Sequence, residues 1–420
     1  MRLSTLFTKT IKDAPKDELS FNAQILIQAG FIDKLAPGIY TYLPLGLRVI
    51  KKIENIIREE MDKIGGQEIL MPALVPKQNW EATERWQNFD ALFRLVGYDN
   101  KQYGLGATHE EVVTPLVQKY ILSYKDLPTS VYQFQNKFRN EKRAKSGILR
   151  GREFLMKDLY SFHTNEDDLN NFYKTAQKSY FKIFKRCGLL DNTYLTFAGG
   201  GDFSKYSHEF QTVTPAGEDD IYICDECSIA INKEIIDQLE NKCPNCDGKK
   251  LTKEKAIEIG NIFKLKDKFS APFNYQYIDE AGDKQPVLMG CYGIGLGRVM
   301  GTIAETSHDD KGLIWPKEVA PFTVHLITVD SKDVKEENKA KLTSEKIYKE
   351  LQESGIDVLF DDRPDINIGA KFADADLIGC PIRLVVSERT LDNDSVEVKK
   401  RDSEEKELVK IKNILSGEIS

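Results

Sequence analysis

The chain has 420 residues, 41% of them hydrophobic and 30% charged, with a net charge of −7. This balance excludes a mostly disordered chain and a general polycation that coats nucleic acid or anionic lipid, and the length allows two or three domains. Any RNA partner must therefore meet a local basic patch on an acidic body. No apolar run reaches the roughly 18 residues needed to span a bilayer, so no membrane association is expected. The opening MRLSTLFTKTIKDAPKDE is broken by Lys and Asp too early for a secretory core, which makes the cytoplasm the expected location.

Residues 44–64 place Leu47, Ile50, Ile53, Ile57, Met61 and Ile64 at helical spacing, bracketed by Pro44 and Gly65–Gly66. EILMPALVP then predicts a strand ending at Pro72. Residues 131–138 alternate apolar and polar as a half-buried strand does, and 153–162 predict a second. A long amphipathic helix follows to about Cys187, then a turn at 199–201 and further strands at 208–214 and 288–292. Strands without regular βαβ alternation predict an α+β domain on an antiparallel sheet over 1–319. From Pro321 the pattern changes to strand FTVHLITVD, a charged helix at 334–354, strand IDVLF, a helix near 369–378 and strand IRLVV. That alternation predicts a separate α/β domain over 320–420.

Four of the seven cysteines form two pairs, Cys224–Cys227 and Cys243–Cys246, with 15 residues between the pairs. In a reducing compartment this spacing favours metal over disulfide. Two such knuckles can set four thiolates around one Zn²⁺, giving a zinc-ribbon-like insertion over 220–250. A closed four-sulfur site has no position for water, so its expected role is structural. Four free buried thiols are the alternative.

Residues 137–152 carry Lys137, Arg139, Lys142, Arg143, Lys145, Arg150 and Arg152 against Glu141, a local +6. A solvated hairpin face would show the same run. A hairpin would also bring Arg139 and Arg150 to one concave site, where guanidinium forks suit phosphate and carboxylate oxygens and Phe154 offers a ring to a base. The stretch GCYGIGLGRVMG, with Gly293 and Gly295 leading into a helix and Arg298 just inside it, suggests close backbone approach to a phosphate with Arg298 as a clamp.

These residues resemble a known family. F-R-N-E (138–141), R-G-R-E-F (150–154) and G-I-G-L-G-R (293–298) are similar to motifs 2 and 3 of class II aminoacyl-tRNA synthetases, and helix 46–64 with the strand ending at Pro72 resembles motif 1, their dimer-forming element. L-G-A-T-H-E-E (105–111), R-E-F-L-M-K-D-L-Y-S-F-H (152–163), S-H-E-F (207–210), M-G-C-Y-G-I-G (289–295) and I-W-P (314–316) narrow the resemblance to bacterial-type prolyl-tRNA synthetases, from the N-terminus to about residue 415. The resemblance implies a class II antiparallel-sheet catalytic domain, a C-terminal anticodon-binding domain and a homodimer. It also implies activation of proline with ATP and Mg²⁺, followed by transfer to tRNA(Pro).

Site roles follow from the same resemblance. Arg139 would bind the α-phosphate and the proline carboxylate. Glu141 would contact the adenine side of ATP or the acceptor end of tRNA. Arg150 and Arg298 would hold the β- and γ-phosphates beside Gly293 and Gly295, and Phe154 would stack on adenine. Thr108 and Glu110 would line the proline pocket, with His163 and His208 near it, and Glu209 would help place Mg²⁺. Arg143 and Lys145 would touch tRNA. Without the resemblance, Thr108 reads as a helix cap, Glu110 as a surface ion-pair partner, both histidines as core residues and Cys291 as small packing. The chemistry fits Arg and Glu rather than a nucleophile–His pair, because a carboxylate is already ionised and needs no general base.

Three features depart from the family pattern. Arg143-Ala144-Lys145 stands where Arg-Pro-Arg is common, and Asn261 stands where a His is usual. The third is size: many bacterial relatives carry a long editing insertion flanked by segments like the two cysteine pairs, whereas only 15 residues separate the pairs here. Correction of mischarged tRNA is then expected from a separate protein in trans. The alternative reading is a non-catalytic synthetase paralogue that binds tRNA or a regulatory partner, whose mark would be loss of Arg139, Arg150 or Arg298.

Overall fold

The computed structural model describes residues 1–416 except 145, 202, 205 and 330–338. Lys145 and the first residues of the expected helix 334–354 therefore lie outside the described residues. The chain divides into two compact units. One comprises Leu35–Tyr40 and Ile53–Thr306; the other comprises Met1–Lys34, Thr41–Lys52 and Ser307–Ser420.

Helix α1 (Pro44–Lys63) forms where the spacing places it. Ile50, Ile53, Ile56, Ile57 and Met61 are buried along one stripe, while Leu47 stays half-exposed. The strand expected to end at Pro72 is much shorter. Only Gln67–Glu68 (β1) pairs with β2 (Thr129–Phe138), in parallel, and Ile69 adds one bond to Tyr132 O at 2.8 Å. Side chains then take over from the ladder. Met71 N–H donates to Gln133 Oε1 at 2.9 Å, and Gln135 Nε2 donates to Met71 O at 2.5 Å. The backbone stays satisfied without continuing the strand.

The hairpin of β2 with β3 (Glu153–His163) runs in unbroken antiparallel register from Thr129↔Phe162 to Phe138↔Glu153. Helix α2 (Glu110–Val117) precedes it in the chain, and α3 (Glu166–Arg186) follows it. Asn165 caps α3 by accepting from Asp168 N at 2.9 Å. Acids in its first turn and Lys185 and Arg186 in its last match the helix dipole. Leu169, Tyr173, Ala176, Tyr180, Ile183 and Phe184 form its buried face.

Next come β4 (Thr193–Gly199), β5 (Tyr206–Val213), β6 (Asp219–Cys224), β7 (Ala230–Asn232), β8 (Leu251–Lys266), β9 (Leu288–Gly295) and helix α4 (Leu296–Thr306). The sheet order is β5-β4-β7-β6-β8-β9-β3-β2-β1, antiparallel except for β4–β7 and β1–β2. β5 also pairs with β8, so five strands close on themselves through β8, β5, β4, β7 and β6. The segment expected as an insertion over 220–250 thus donates two strands to the main sheet. The rest of it holds a short helix (Lys233–Ile236) and the turns that carry Cys227, Cys243 and Cys246.

The other unit holds a five-stranded sheet of β10 (Val324–Thr328), β11 (Val358–Asp361), β12 (Ile382–Val386), β13 (Ser395–Lys400) and β14 (Lys406–Lys410), in the order β11-β10-β12-β13-β14. The first three are parallel and the last two antiparallel. Helices α5 (Lys339–Glu353) and α6 (Ile368–Ile378) make the crossovers, as the alternation predicts. Asn367 caps α6, and Gly379 ends it at φ +78°. A Cβ on Gly379 would stand 2.1 Å from Leu313 O, so no other residue fits that turn.

Candidate active site

A cavity of about 230 Å³ opens on one face of β2, β3, β8 and β9, closed by the 139–152 loop and the start of α4. Strand alternation decides what lines it. Phe154, Met156, Asp158 and Tyr160 face the cavity, whereas Lys157, Ser161 and His163 face the other way. On that far face Lys157 Nζ bonds Tyr180 Oη of α3 at 2.7 Å.

The basic loop supplies the cations. Arg139 leaves the end of β2 with its guanidinium 5.2 Å from the Phe154 ring centre and Nε 3.4 Å from Ala107 O. Burial, then the Arg298 charge, lowers its pKa. Arg298 donates from Nε to Leu149 O at 2.8 Å, and from Nη1 to Glu258 Oε2 and O, each at 3.0 Å. Arg150 is held by Glu141 at 2.9–3.0 Å. All three arginines and Glu141 line the same cavity. Gly38, at φ +75°, docks under this loop so closely that a Cβ there would come within 2.6 Å of Ala144 Cβ. Arg143 is exposed and does not line the cavity.

Gly293 and Gly295 line the cavity and lead into α4, with Arg298 in its first turn. They lie within β9, paired with Asp158 and Met156 of β3. Missing side chains keep the floor open: a Cβ on Gly293 would meet Met156 Cε at 2.4 Å. Cys291 lines the floor beside them, its thiol pKa raised by burial.

Thr108 lines the far end of the cavity, and its hydroxyl donates to Glu110 Oε2. Glu110 is no surface residue: it is fully buried at the first turn of α2, 3.6 Å from Arg85 Nη1, and its Oε1 has no hydrogen-bond partner among the described residues. Glu111 is buried beside it, bonded to Arg85 at 3.0 Å and Thr83 at 2.9 Å, with its pKa pushed up to about 7 chiefly by burial. Arg85 lies 4.4 Å and 5.1 Å from the Phe89 and Phe203 ring centres.

The two histidines expected near the pocket do not line it. His163 bonds Asp168 at 2.7 Å and Ser161 Oγ at 2.8 Å and packs on Phe172 of α3. His208 Nδ1 meets Tyr173 Oη of α3 at 2.8 Å, and its ring packs on Phe197. Both sit on the α3 face, so the alternation that points Phe154 and Glu209 one way points these the other. Burial lowers the pKa of both, that of His208 to about 4.

Glu209 pairs in register with Asn261, which lines the cavity. It accepts from Gln211 at 2.8 Å and Asn232 at 3.2 Å, and burial followed by the Glu258 charge raises its pKa to about 8. Asn261 Nδ2 donates to Glu258 Oε1 at 2.9 Å, leaving its buried Oδ1 without a partner among the described residues. Sequence reading missed Glu258, Lys137, Asp158 and Tyr160 as cavity residues. Strand parity with Phe154 was the available signal for Asp158 and Tyr160.

The four cysteine sulfurs lie within 4.8 Å of one another, with Cys224–Cys246 at 3.6 Å and Cys227–Cys243 at 3.5 Å. Zinc–thiolate bonds of about 2.3 Å in a tetrahedron set sulfurs ~3.8 Å apart, so the donor set and spacing fit Zn²⁺. Each knuckle turns through a left-handed residue, Ser228 at φ +57° and Asp247 at φ +58°.

Residues 93–307 match the family described as "tRNA synthetase class II core domain (G, H, P, S and T)", and residues 323–417 match "Anticodon binding domain". Over 96% of its length the chain is 33% identical to the proline–tRNA ligase of Moorella thermoacetica, covering 96% of that protein. The chain belongs to the prolyl-tRNA synthetase family. The Dehalococcoides mccartyi (strain CBDB1) proline–tRNA ligase is likewise 33% identical, over 100% of this chain and 99% of its own. The Moorella alignment is 555 positions long against 420 residues here, so the relative carries at least 135 residues that this member of the family lacks. The fold is shared with the Giardia lamblia prolyl-tRNA synthetase solved in complex with prolyl-adenylate, at TM-score 0.78 and 21% identity over 94% of this chain and 75% of that one. A Cryptosporidium parvum prolyl-tRNA synthetase complexed with L-proline and AMP matches at TM-score 0.76 and 20% identity, over 94% and 73%. A class II core and an anticodon-binding domain make this family member a ligase, and the non-catalytic alternative is not favoured.

Proposed function

We propose that this cavity activates proline with ATP and then passes the prolyl group to tRNA(Pro). The observation that carries this reading is the convergence of Arg139 and Arg298, from separate elements, on a cavity whose other end holds Thr108 beside the unpartnered Glu110 Oε1. The proline carboxylate attacks the α-phosphorus; that P–O bond forms as the bond to the β-phosphate breaks and pyrophosphate leaves. Charge builds on phosphoryl oxygens, where Arg139 and Arg298 already stand. Arg150 takes the outer phosphates and Phe154 the adenine. Thr108 and Glu110 take the secondary ammonium. Glu209, with Glu258, is suited to Mg²⁺, which when bound adds charge neutralisation at the phosphates. The tRNA ribose hydroxyl then attacks the prolyl carbonyl and AMP leaves, largely through positioning. Arg143 and Lys145 on the basic loop are assigned to the acceptor end. The catalytic domain is taken to run to about residue 319, and the working location is the cytoplasm. Arg139→Ala is expected to lower proline-dependent ATP–pyrophosphate exchange by about 10²-fold or more while keeping the wild-type circular dichroism spectrum. Near-normal exchange would count against the assignment.

The cysteine knot is assigned one structural Zn²⁺. The purified protein is expected to carry one zinc per chain by elemental analysis, and Cys243→Ser to lose it and to raise amide exchange over 220–250. Zinc-free protein with full protection there would refute this.

The family's dimer is proposed here too, with the contact centred on the strand end of the motif 1 element and its neighbours rather than on the stripe of α1. The apolar stripe of α1 is spent inside the chain. Leu70, Leu74, Leu95, Val96 and Tyr98 remain exposed, from 41% to 107%. An isologous contact burying them is expected to give a dimer mass by analytical ultracentrifugation at micromolar concentration, and Val96→Glu with Tyr98→Glu to give a monomer.

Alanine is smaller than proline, so the pocket cannot exclude it by clash. Each missing methylene contributes only about 1–3 kcal/mol of discrimination. The 15 residues between Cys227 and Cys243 are too few for a hydrolytic domain, which needs on the order of 50. Mischarged alanyl-tRNA(Pro) is therefore expected to persist with this enzyme alone and to need a separate protein for its removal. Deacylation well above the enzyme-free rate would contradict that.

A further inference from the structure

Beneath the amino-acid end of the cavity lies a buried polar circuit that the reading above leaves unused. Lys137 on β2 and Asp158 on β3 are both nearly devoid of solvent contact and bond at 2.6 Å. The same ammonium meets His109 Nδ1 at 2.8 Å, and His109 Nε2 meets Pro72 O at 3.2 Å. From the other side, Gln133 Nε2 donates to Asp158 Oδ2 at 3.0 Å, and Gln133 Oε1 accepts from Met71 N–H. The circuit closes through the Met71–Pro72 peptide.

Only one arrangement of protons satisfies every member. An ammonium can only donate and a carbonyl can only accept, so His109 must accept at Nδ1 and donate from Nε2. That is the neutral imidazole, and burial followed by the Lys137 charge lowers the His109 pKa to about 4, which keeps it neutral. The His109 backbone is fixed as well, since its N–H donates to Tyr160 Oη at 3.1 Å. The ring fits against Gly106, where a Cβ would stand 2.7 Å from His109 Cε1.

His109 separates Thr108 from Glu110. Its carbonyl receives the N–H groups of Val112 and Val113 at 3.0 and 2.9 Å, so it also sets where α2 begins. We propose that His109, clamped between Lys137 and Pro72, is a positioning residue that presents Thr108 and Glu110 to the amino-acid substrate. This rests on Thr108 and Glu110 forming the proline subsite. A side chain locked in this way removes rotational freedom from its two neighbours before substrate arrives. The side chains on the ATP side of the cavity, Arg298, Glu258 and the 139–152 loop, share no side-chain hydrogen bond with this circuit among the described residues.

The test is steady-state exchange kinetics with His109→Ala, His109→Asn, Gly106→Ala and Thr108→Ala, each checked by thermal melting, with proline binding measured by calorimetry. His109→Ala is expected to raise KM for proline tenfold or more while KM for ATP stays within twofold. His109→Asn, whose Oδ1 can replace Nδ1 toward Lys137, is expected to recover most of that loss. Should His109→Ala fail to fold, Gly106→Ala, which displaces the ring without removing it, is expected to show the same split. Unchanged KM for proline in the His109 and Gly106 variants, equal rises in both KM values, or no rescue by Asn would overturn the proposal. If Thr108→Ala alone raises KM for proline, only the positioning role fails; if it does not, the proline subsite itself is misassigned and the proposal falls with it.

Discussion

Arg139 and Arg298 bring two positive charges into one half-enclosed cavity, and their repulsion must be offset before any nucleotide arrives. The surrounding structure does this without neutralising either group at its working face. Arg139 rests on the π-face of Phe154 and points its Nε at a backbone carbonyl. Arg298 is held from behind by Glu258 and Leu149 O. Arg150, further out, is pinned by Glu141. Each guanidinium is fixed by a partner that leaves other N–H groups for an anion, and under the proposed phosphate roles little reorganisation would be needed as charge develops.

The acids are arranged to the same end. Glu258 serves Arg298 through Oε2 and Asn261 through Oε1, and its charge adds to burial in raising the Glu209 carboxyl pKa. Glu209 is held in turn by Gln211 and Asn232, and Gln211 also bonds Asp219 at 2.8 Å. Asp219 begins β6 and Asn232 ends β7, the two strands that carry Cys224 and flank Cys227. The cysteine knot therefore anchors a strand pair whose other ends reach the acidic side of the site. The structural zinc proposed for these cysteines would then act on the site through this strand pair, at a distance from the chemistry.

Much of this was legible in the sequence, and the misses have physical causes. Helix α1, the β2–β3 hairpin, α3 and the parallel core of the second sheet follow directly from apolar period and caps. The strand to Pro72 failed because Gln133 and Gln135 side chains replace ladder bonds, a long-range substitution that no local pattern reveals. That His163 and His208 do not line the cavity was countable in advance: alternation from Phe154 and Glu209 sends them to the α3 face. Glu110 was singled out only by resemblance, since nothing local says that a Glu at a helix start is fully buried. Lys137 and Asp158 were passed over as parts of a charge run and a motif, because their pairing depends on strand register.

The central claim is that one cavity splits into an ATP end, built on Arg139, Arg298 and Phe154, and a proline end, built on Thr108 and Glu110. A crystal structure of this protein with a non-hydrolysable prolyl-adenylate analogue tests it most directly. The account predicts the phosphoryl-mimicking group within hydrogen-bonding distance of Arg139, adenine stacked on Phe154, and the prolyl nitrogen between Thr108 Oγ1 and Glu110 Oε1. An analogue bound elsewhere, or with its prolyl nitrogen away from Glu110, would contradict it.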